Sequence, residues 1–158
     1  MNWASWLLWG FVATVVLTTS MSASQGLGLT RMSVPYMLGT MFTPDRDRAK
    51  LVGFIVHLVN GWLFSLVYVA AFQAWHRATW WLGAAGGLVH AAFVLTAGMS
   101  LLPGLHPRMA SEQHGPAAAP QLEPPGFLAL NYGIPTPISV VAAHLVFGAV
   151  LGAFYSLR

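Results

Sequence analysis

Apolar residues in this chain neither alternate nor keep to one helical face; they run in long stretches separated by short clusters of charge, proline and glycine. Four such stretches, from about Trp3 to Ser24, Leu51 to Gln73, Trp80 to Leu102 and Pro137 to Leu157, each supply the ~20 residues a helix needs to cross a hydrocarbon layer ~30 Å thick. All four acidic residues fall outside them. A helix that is apolar all round has no face for water, so the pattern predicts an all-α integral membrane four-helix bundle in a single transmembrane domain.

Capping residues sharpen the boundaries. Thr43 is a candidate cap, Pro44 suits the first helical position, and Asp45 and Asp47 complement a positive helix end, so the second helix is expected over 44–73. Thr136-Pro137 opens the fourth, over 137–157, in the same way; the first is expected over 3–24 and the third over 79–102. No basic region precedes the first apolar run, which is therefore read as a span that stays despite the cleavage-like Ser22-Ala23-Ser24. The short turn at His76-Arg77 makes helices 2 and 3 antiparallel neighbours. The segment 27–42 is too apolar for an ordinary loop and is broken by Arg31, Pro35 and Gly39, so it is expected to lie along the interface or re-enter. Residues 103–135 hold most of the prolines and read as an extended strap.

Composition agrees. Only 7% of residues are charged and 56% are hydrophobic, against roughly a quarter charged in soluble domains. The net charge of +3 comes from seven cations spread over several loops. That forms no patch able to track phosphates, which excludes a nucleic-acid partner. Arg31, Arg46, Arg48, Lys50 and Arg108 lie at the end of the two long connections, against Arg77 and Arg158 at the other. The positive-inside bias then predicts cytoplasmic long loops and both termini outside. Trp3, Trp6, Trp9, Trp75, Trp80 and Trp81 gather at the opposite boundary as interfacial anchors. Cysteine is absent, which removes disulfides, thiolate metal sites and thiol nucleophiles.

Helices 2 and 4 share a pattern, H-L-V-x-G-x6-Y: His57-Leu58-Val59-Asn60-Gly61 with Tyr68, and His144-Leu145-Val146-Phe147-Gly148 with Tyr155. The match suggests a parallel two-fold internal repeat, helices 1-2 against helices 3-4. Eleven residues make about three turns, which would put each His and its Tyr on one face ~16 Å apart. The same faces carry Gly53, Gly61 and Ser65 on helix 2 and Gly148 and Gly152 on helix 4. Helix 3 offers Gly83, Gly86, Gly87 and His90, and helix 1 offers Gly10, Thr14, Thr18 and Ser22. Small residues collect where helices meet in lipid, so the three intramembrane histidines should face the bundle interior.

Two uses compete for those histidines. A Gly-flanked imidazole can hydrogen-bond a neighbouring helix, with Asn60, Tyr68 or Tyr155 as partners. Alternatively His57 and His144, diagonal in an up-down bundle, would ligate haem b, with Gly61 and Gly148 leaving room for the ring. His90 fits such a site less well. A second metal reading takes Met21, Met32, Met37, Met41, Met99 and Met109 beside His106 and His114 as thioether and imidazole donors for Cu(I), although methionine also fills apolar gaps. The helices carry no carboxylate, H-E-x-x-H, Walker loop or G-x-S-x-G, so no enzyme is expected.

At H-L-V-x-G-x6-Y, and at His144-x3-Gly148-x3-Gly152 with Tyr155, the chain resembles small four-helix bacterial inner-membrane proteins of uncharacterised function. The resemblance covers most of the chain through short motifs. It implies a bacterial inner-membrane location and carries over no activity and no functional residue. The resulting expectation is a non-enzymatic accessory or scaffold subunit, held in the lipid bilayer and packed against itself or other membrane subunits. A haem-binding electron-transfer protein is the alternative, and a small transporter-like oligomer the third.

Overall fold

A computed structural model describes residues 1–112 and 121–158. The described chain is helical throughout, its only ladder contact being an isolated bridge between Met109 and Leu122. Four helices long and apolar enough to cross a membrane are present among the described residues. They are α1 (Trp3–Gly26), α3 (Arg46–Ala74), α4 (Trp80–Phe93) running on into α5 (Met99–Leu105), and α6 (Pro135–Phe154); α2 (Val34–Gly39) is a short helix between the first two. Their outer faces are apolar: Leu8, Ile55, Leu63, Val67, Val89, Leu101 and Ile138 are all exposed. A belt of that kind suits contact with lipid or with a neighbouring protein.

Helix starts follow their caps. Asn2, Ser33, Asp45 and Thr79 each accept a hydrogen bond from a first-turn N–H, in α1, α2, α3 and α4. The second span begins at Arg46 rather than at Pro44, because Asp45 caps it while Thr43 Oγ1 only accepts from the Asp45 N–H. The fourth begins two residues earlier than expected, at Pro135. Thr136 turns inward, and its Oγ1 meets Thr30 Oγ1 at 2.6 Å. It also ends earlier, so Tyr155 lies just past α6 in extended backbone.

The third span is continuous to Leu105, with a π-helical turn at Val94–Gly98 and Pro103 within its last turns. Proline has no N–H to give to the preceding turn, and a widened turn upstream is a common way to absorb such a break.

Backbone approach decides which spans meet. A Cβ on Gly83 would fall 1.9 Å from the Gly148 carbonyl oxygen, and one on Gly148 would fall 1.9 Å from that of Gly83. Gly87 abuts His144 O, and Gly152 abuts Thr79 O. α4 and α6 therefore cross backbone to backbone, as small-xxx-small surfaces do in lipid. On the other side Gly61 of α3 faces Thr14 of α1, and Gly10 faces Ser65 and Trp62. α1 touches both α3 and α6, whereas α3 and α6 meet only marginally, as diagonal members do.

The turn at residues 75–79 joins α3 and α4, yet their backbones stay apart and the two meet through side chains such as Phe64, Tyr68 and His90. Most of their glycines are committed elsewhere, Gly86 facing the Tyr68 ring, and their common seam carries Phe64, Val67, Val89 and Phe93.

The segment 27–42, expected to lie along the interface or to re-enter, packs on the bundle. Gly39 lies against the Ala49 carbonyl, and Gly53 against that of Pro35, so α2 sits directly on the start of α3. Arg108 holds it there by donating from its guanidinium to Thr40 O at 2.7 Å and Met41 O at 3.3 Å. The described parts of the strap are ordered by the Met109–Leu122 bridge and by Tyr132, whose hydroxyl donates to Glu123 O at 2.5 Å. At the far end Tyr155 Oη accepts from the Asn2 N–H and from Gln73 Nε2, tying both termini to the end of α3.

Candidate functional site

His57 on α3, His90 on α4 and His144 on α6 all line one internal chamber of about 270 Å³ near mid-span. Apart from Asn60 its remaining walls are apolar and include Met21, Met32, Met37 and Met99, with no Asp, Glu, Lys or Arg. α2 and the segment before it close the long-loop end, through Met32, Val34, Met37 and Leu38. The π-helical turn borders it through Val94 and Gly98, consistent with the frequent placement of such turns at functional sites.

Each imidazole is held through Nδ1. His144 Nδ1 lies 2.8 Å from Val140 O, and a carbonyl only accepts, so this nitrogen carries the proton. His57 Nδ1 lies 2.9 Å from Thr18 Oγ1. That hydroxyl spends its single hydrogen on Thr14 O at 2.8 Å, so it accepts from His57 Nδ1–H. His90 Nδ1 is 3.2 Å from Tyr68 Oη, whose proton has no other acceptor. With Tyr68 donating, His90 carries its hydrogen on Nε2.

None of the three Nε2 atoms has a partner among the described residues, yet the only fully enclosed, unpartnered side-chain nitrogen or oxygen among them is Trp62 Nε1. The Nε2 atoms therefore keep some open surface, in three residues that line the chamber. In the neutral rings they offer two lone pairs, from His57 and His144, and one N–H donor, from His90.

Aromatic packing fixes the ring positions. His90 stacks on Phe64 with centroids 4.7 Å apart, and meets His144 edge to face at 4.8 Å. Tyr68 and Phe147 stand edge to face at 5.3 Å behind them.

The sequence-derived partners are only partly realised. Tyr68 does bond a histidine, but it is His90 on α4 rather than His57 on its own helix. Asn60 lines the same cavity, but it is exposed and makes no hydrogen bond among the described residues; Tyr155 pairs with Asn2 and Gln73 at the far end. The partners that hold His57 and His144, Thr18 and the Val140 carbonyl, went unnoticed as such. Thr18 was visible in the four-residue Thr14–Thr18 spacing of α1; a backbone acceptor one turn back leaves no residue-type signal.

Gly61 and Gly148 do not make room for a macrocycle. Both are spent on helix crossings, a Cβ on Gly61 falling 2.4 Å from Thr14 Cγ2. His90 moreover packs directly against the proposed ligand His144. As folded, neither glycine opens extra space between His57 and His144.

The methionine and histidine grouping also divides differently. His106 is fully buried with both ring nitrogens in use: Nε2 donates to Met37 O at 2.9 Å, and Nδ1 accepts from the Arg108 N–H at 3.1 Å. His114 lies outside the described residues. Four of the six methionines instead face the three-histidine chamber. Among the described residues no three of His, Asp or Glu are grouped to hold a metal ion.

No family model, curated protein or solved structure matches the chain. The functional reading therefore stands on the geometry of this chamber.

Proposed function

We propose that the chain is a non-enzymatic accessory subunit of a bacterial inner-membrane complex: a four-helix membrane bundle that binds rather than transforms. The observation that supports this reading best is the chamber itself. Three histidines are locked by Nδ1 bonds around a space without any carboxylate, nucleophile–base pair or grouped metal ligands. Such a site offers hydrogen-bonding groups for recognition, and the imidazoles are the only proton-transfer groups that line it. The long faces left to lipid, including Ile138, Leu101 and Leu8, are wide enough for a neighbouring subunit or a second copy. We take the bundle as a parallel two-fold repeat, because His57 and His144 line the same chamber while Gly61 and Gly148 each sit where their helix crosses the preceding span. The repeat does not extend to the tyrosines, since Tyr68 lies inside α3 and Tyr155 beyond α6.

Photo-crosslinking residues placed singly at Leu8, Leu101 and Ile138 test the subunit reading in native membranes. At least one position is expected to give a discrete protein adduct or a dimer. Lipid adducts alone at all three positions, with a lone monomer after gentle solubilisation, would contradict it.

A further inference from the structure

The seam between α3 and α4 is an apolar cleft of about 480 Å³, with Val67 and Trp75 on one wall and Leu82, Gly86 and Val89 on the other. Val67 and Val89 are 64% and 72% exposed, so the cleft opens on the face that lipid covers. Phe64, His90 and Phe93 line both this cleft and the histidine chamber, which makes them the boundary between the two. From Trp75 to Phe64 the cleft follows eleven residues of α3, ~16 Å of helix. It therefore leads from the short-turn end of the bundle to mid-span, and to the open Nε2 of His90.

The chemistry of the two spaces specifies an occupant. Neither is lined by a charged residue, so a charged head drawn to mid-span would have no counter-ion and would carry the full cost of burial in hydrocarbon. Phospholipids and fatty acids keep their heads at the interface for that reason. An uncharged head has no such restriction. Besides the Asn60 carboxamide, the chamber offers two imidazole acceptors and one imidazole donor, and its polar edges stand among aromatic rings that favour a flat group. A cavity of ~150 Å³ already admits benzene, so 270 Å³ accommodates a substituted six-membered ring. A quinone brings only acceptors, whereas a quinol brings two hydroxyl donors together with acceptor oxygens. Quinol hydroxyls match the lone pairs of His57 and His144, and an oxygen of the same ring matches His90 Nε2–H.

We propose that the histidine chamber binds the uncharged head of a membrane quinol, whose apolar tail leaves through the α3–α4 cleft into lipid. This rests on the reading of the chamber as a recognition site, and adds the ligand class. It is a binding proposal and includes no redox step.

The full chain in phosphatidylcholine nanodiscs is titrated with decylbenzoquinol under anaerobic conditions, and separately with the oxidised decylbenzoquinone. Saturable binding of one quinol per chain is expected, about tenfold tighter than the quinone. His57→Ala and His144→Ala should each weaken quinol binding five- to tenfold, about the loss of one hydrogen bond. Val67→Trp lies on the exposed cleft wall, outside the packed core, and should weaken both forms without lowering the melting temperature. The proposal is overturned by non-saturable uptake equal to that of empty nanodiscs, or by unchanged affinity in all three variants. It is equally overturned if a photo-crosslinker at Val89 in native membranes captures a protein helix in the cleft instead of a lipid. Adducts at Leu8, Leu101 or Ile138 bear on the subunit reading alone, so the two can fail separately.

Discussion

At the scale of single residues, what a glycine or a histidine does here depends on what stands opposite it. Gly148 has no room for a methyl group because the Gly83 carbonyl occupies it, while Gly26, at the end of α1, has nothing within 4 Å. Gly148→Ala should therefore cost about 1–3 kcal/mol, the usual range for overpacking, read as a lower melting temperature in detergent. Gly26→Ala should be neutral or slightly stabilising. Equal effects of the two changes would mean that α4 and α6 do not cross at this point. The small-residue stripes were legible in the sequence, since residue type and four-residue spacing suffice to find them. Their division of labour was not. Nothing local says that Gly148 meets a glycine on α4, or that Gly61 meets a threonine on α1.

Among the elements, the four spans could be read directly, because a run of apolar residues long enough to cross a bilayer has few other uses. Their ends were less legible. Pro44 and Pro137 are good first-turn residues, but the actual starts were set by the Asp45 side chain and by Pro135, and the early end of α6 removed Tyr155 from the helix face it was assigned. The inward fold of α2 depends on Gly39 and Gly53 meeting backbone from a distant segment, and no periodicity reports that. The strap supplies a pH-dependent test. Burial, followed by the Glu123 carboxylate, raises the Tyr132 phenol above its ordinary value of about 10. A proton acid with a raised folded value contributes stability that is intact below the unfolded value and declines as pH rises toward the folded one. Hydrogen exchange at Leu122 and Glu123 should therefore accelerate above about pH 10, beyond its intrinsic base dependence, and that excess should vanish in Tyr132→Phe. An unchanged excess in Tyr132→Phe would show that this phenol does not secure the strap.

Across the whole molecule, helix order around the bundle was only half visible. A short turn between α3 and α4 implied close neighbours, and they are consecutive, but tight packing went to α4–α6 and α1–α3, where glycine permits it. The seam left open is the cleft that gives the chamber its route to lipid. The proposed orientation rests on charge alone: Arg46, Arg48 and Lys50 open α3 at the long-loop end, against Arg77 and Arg158 at the other. With no native cysteine in the way, Ser156→Cys should react with an impermeant maleimide on intact cells and Glu112→Cys should not; the reverse pattern would invert the protein. The account depends most on three imidazoles sharing one chamber with their Nε2 atoms free. Solid-state 15N spectroscopy of the histidine-labelled protein in lipid vesicles measures this directly. The expected result is three intramembrane histidines, with the Nδ1–H tautomer for His57 and His144, the Nε2–H tautomer for His90, and a through-space contact between the rings of His90 and His144. An Nε2–H tautomer at His144, or no contact between those two rings, would contradict it.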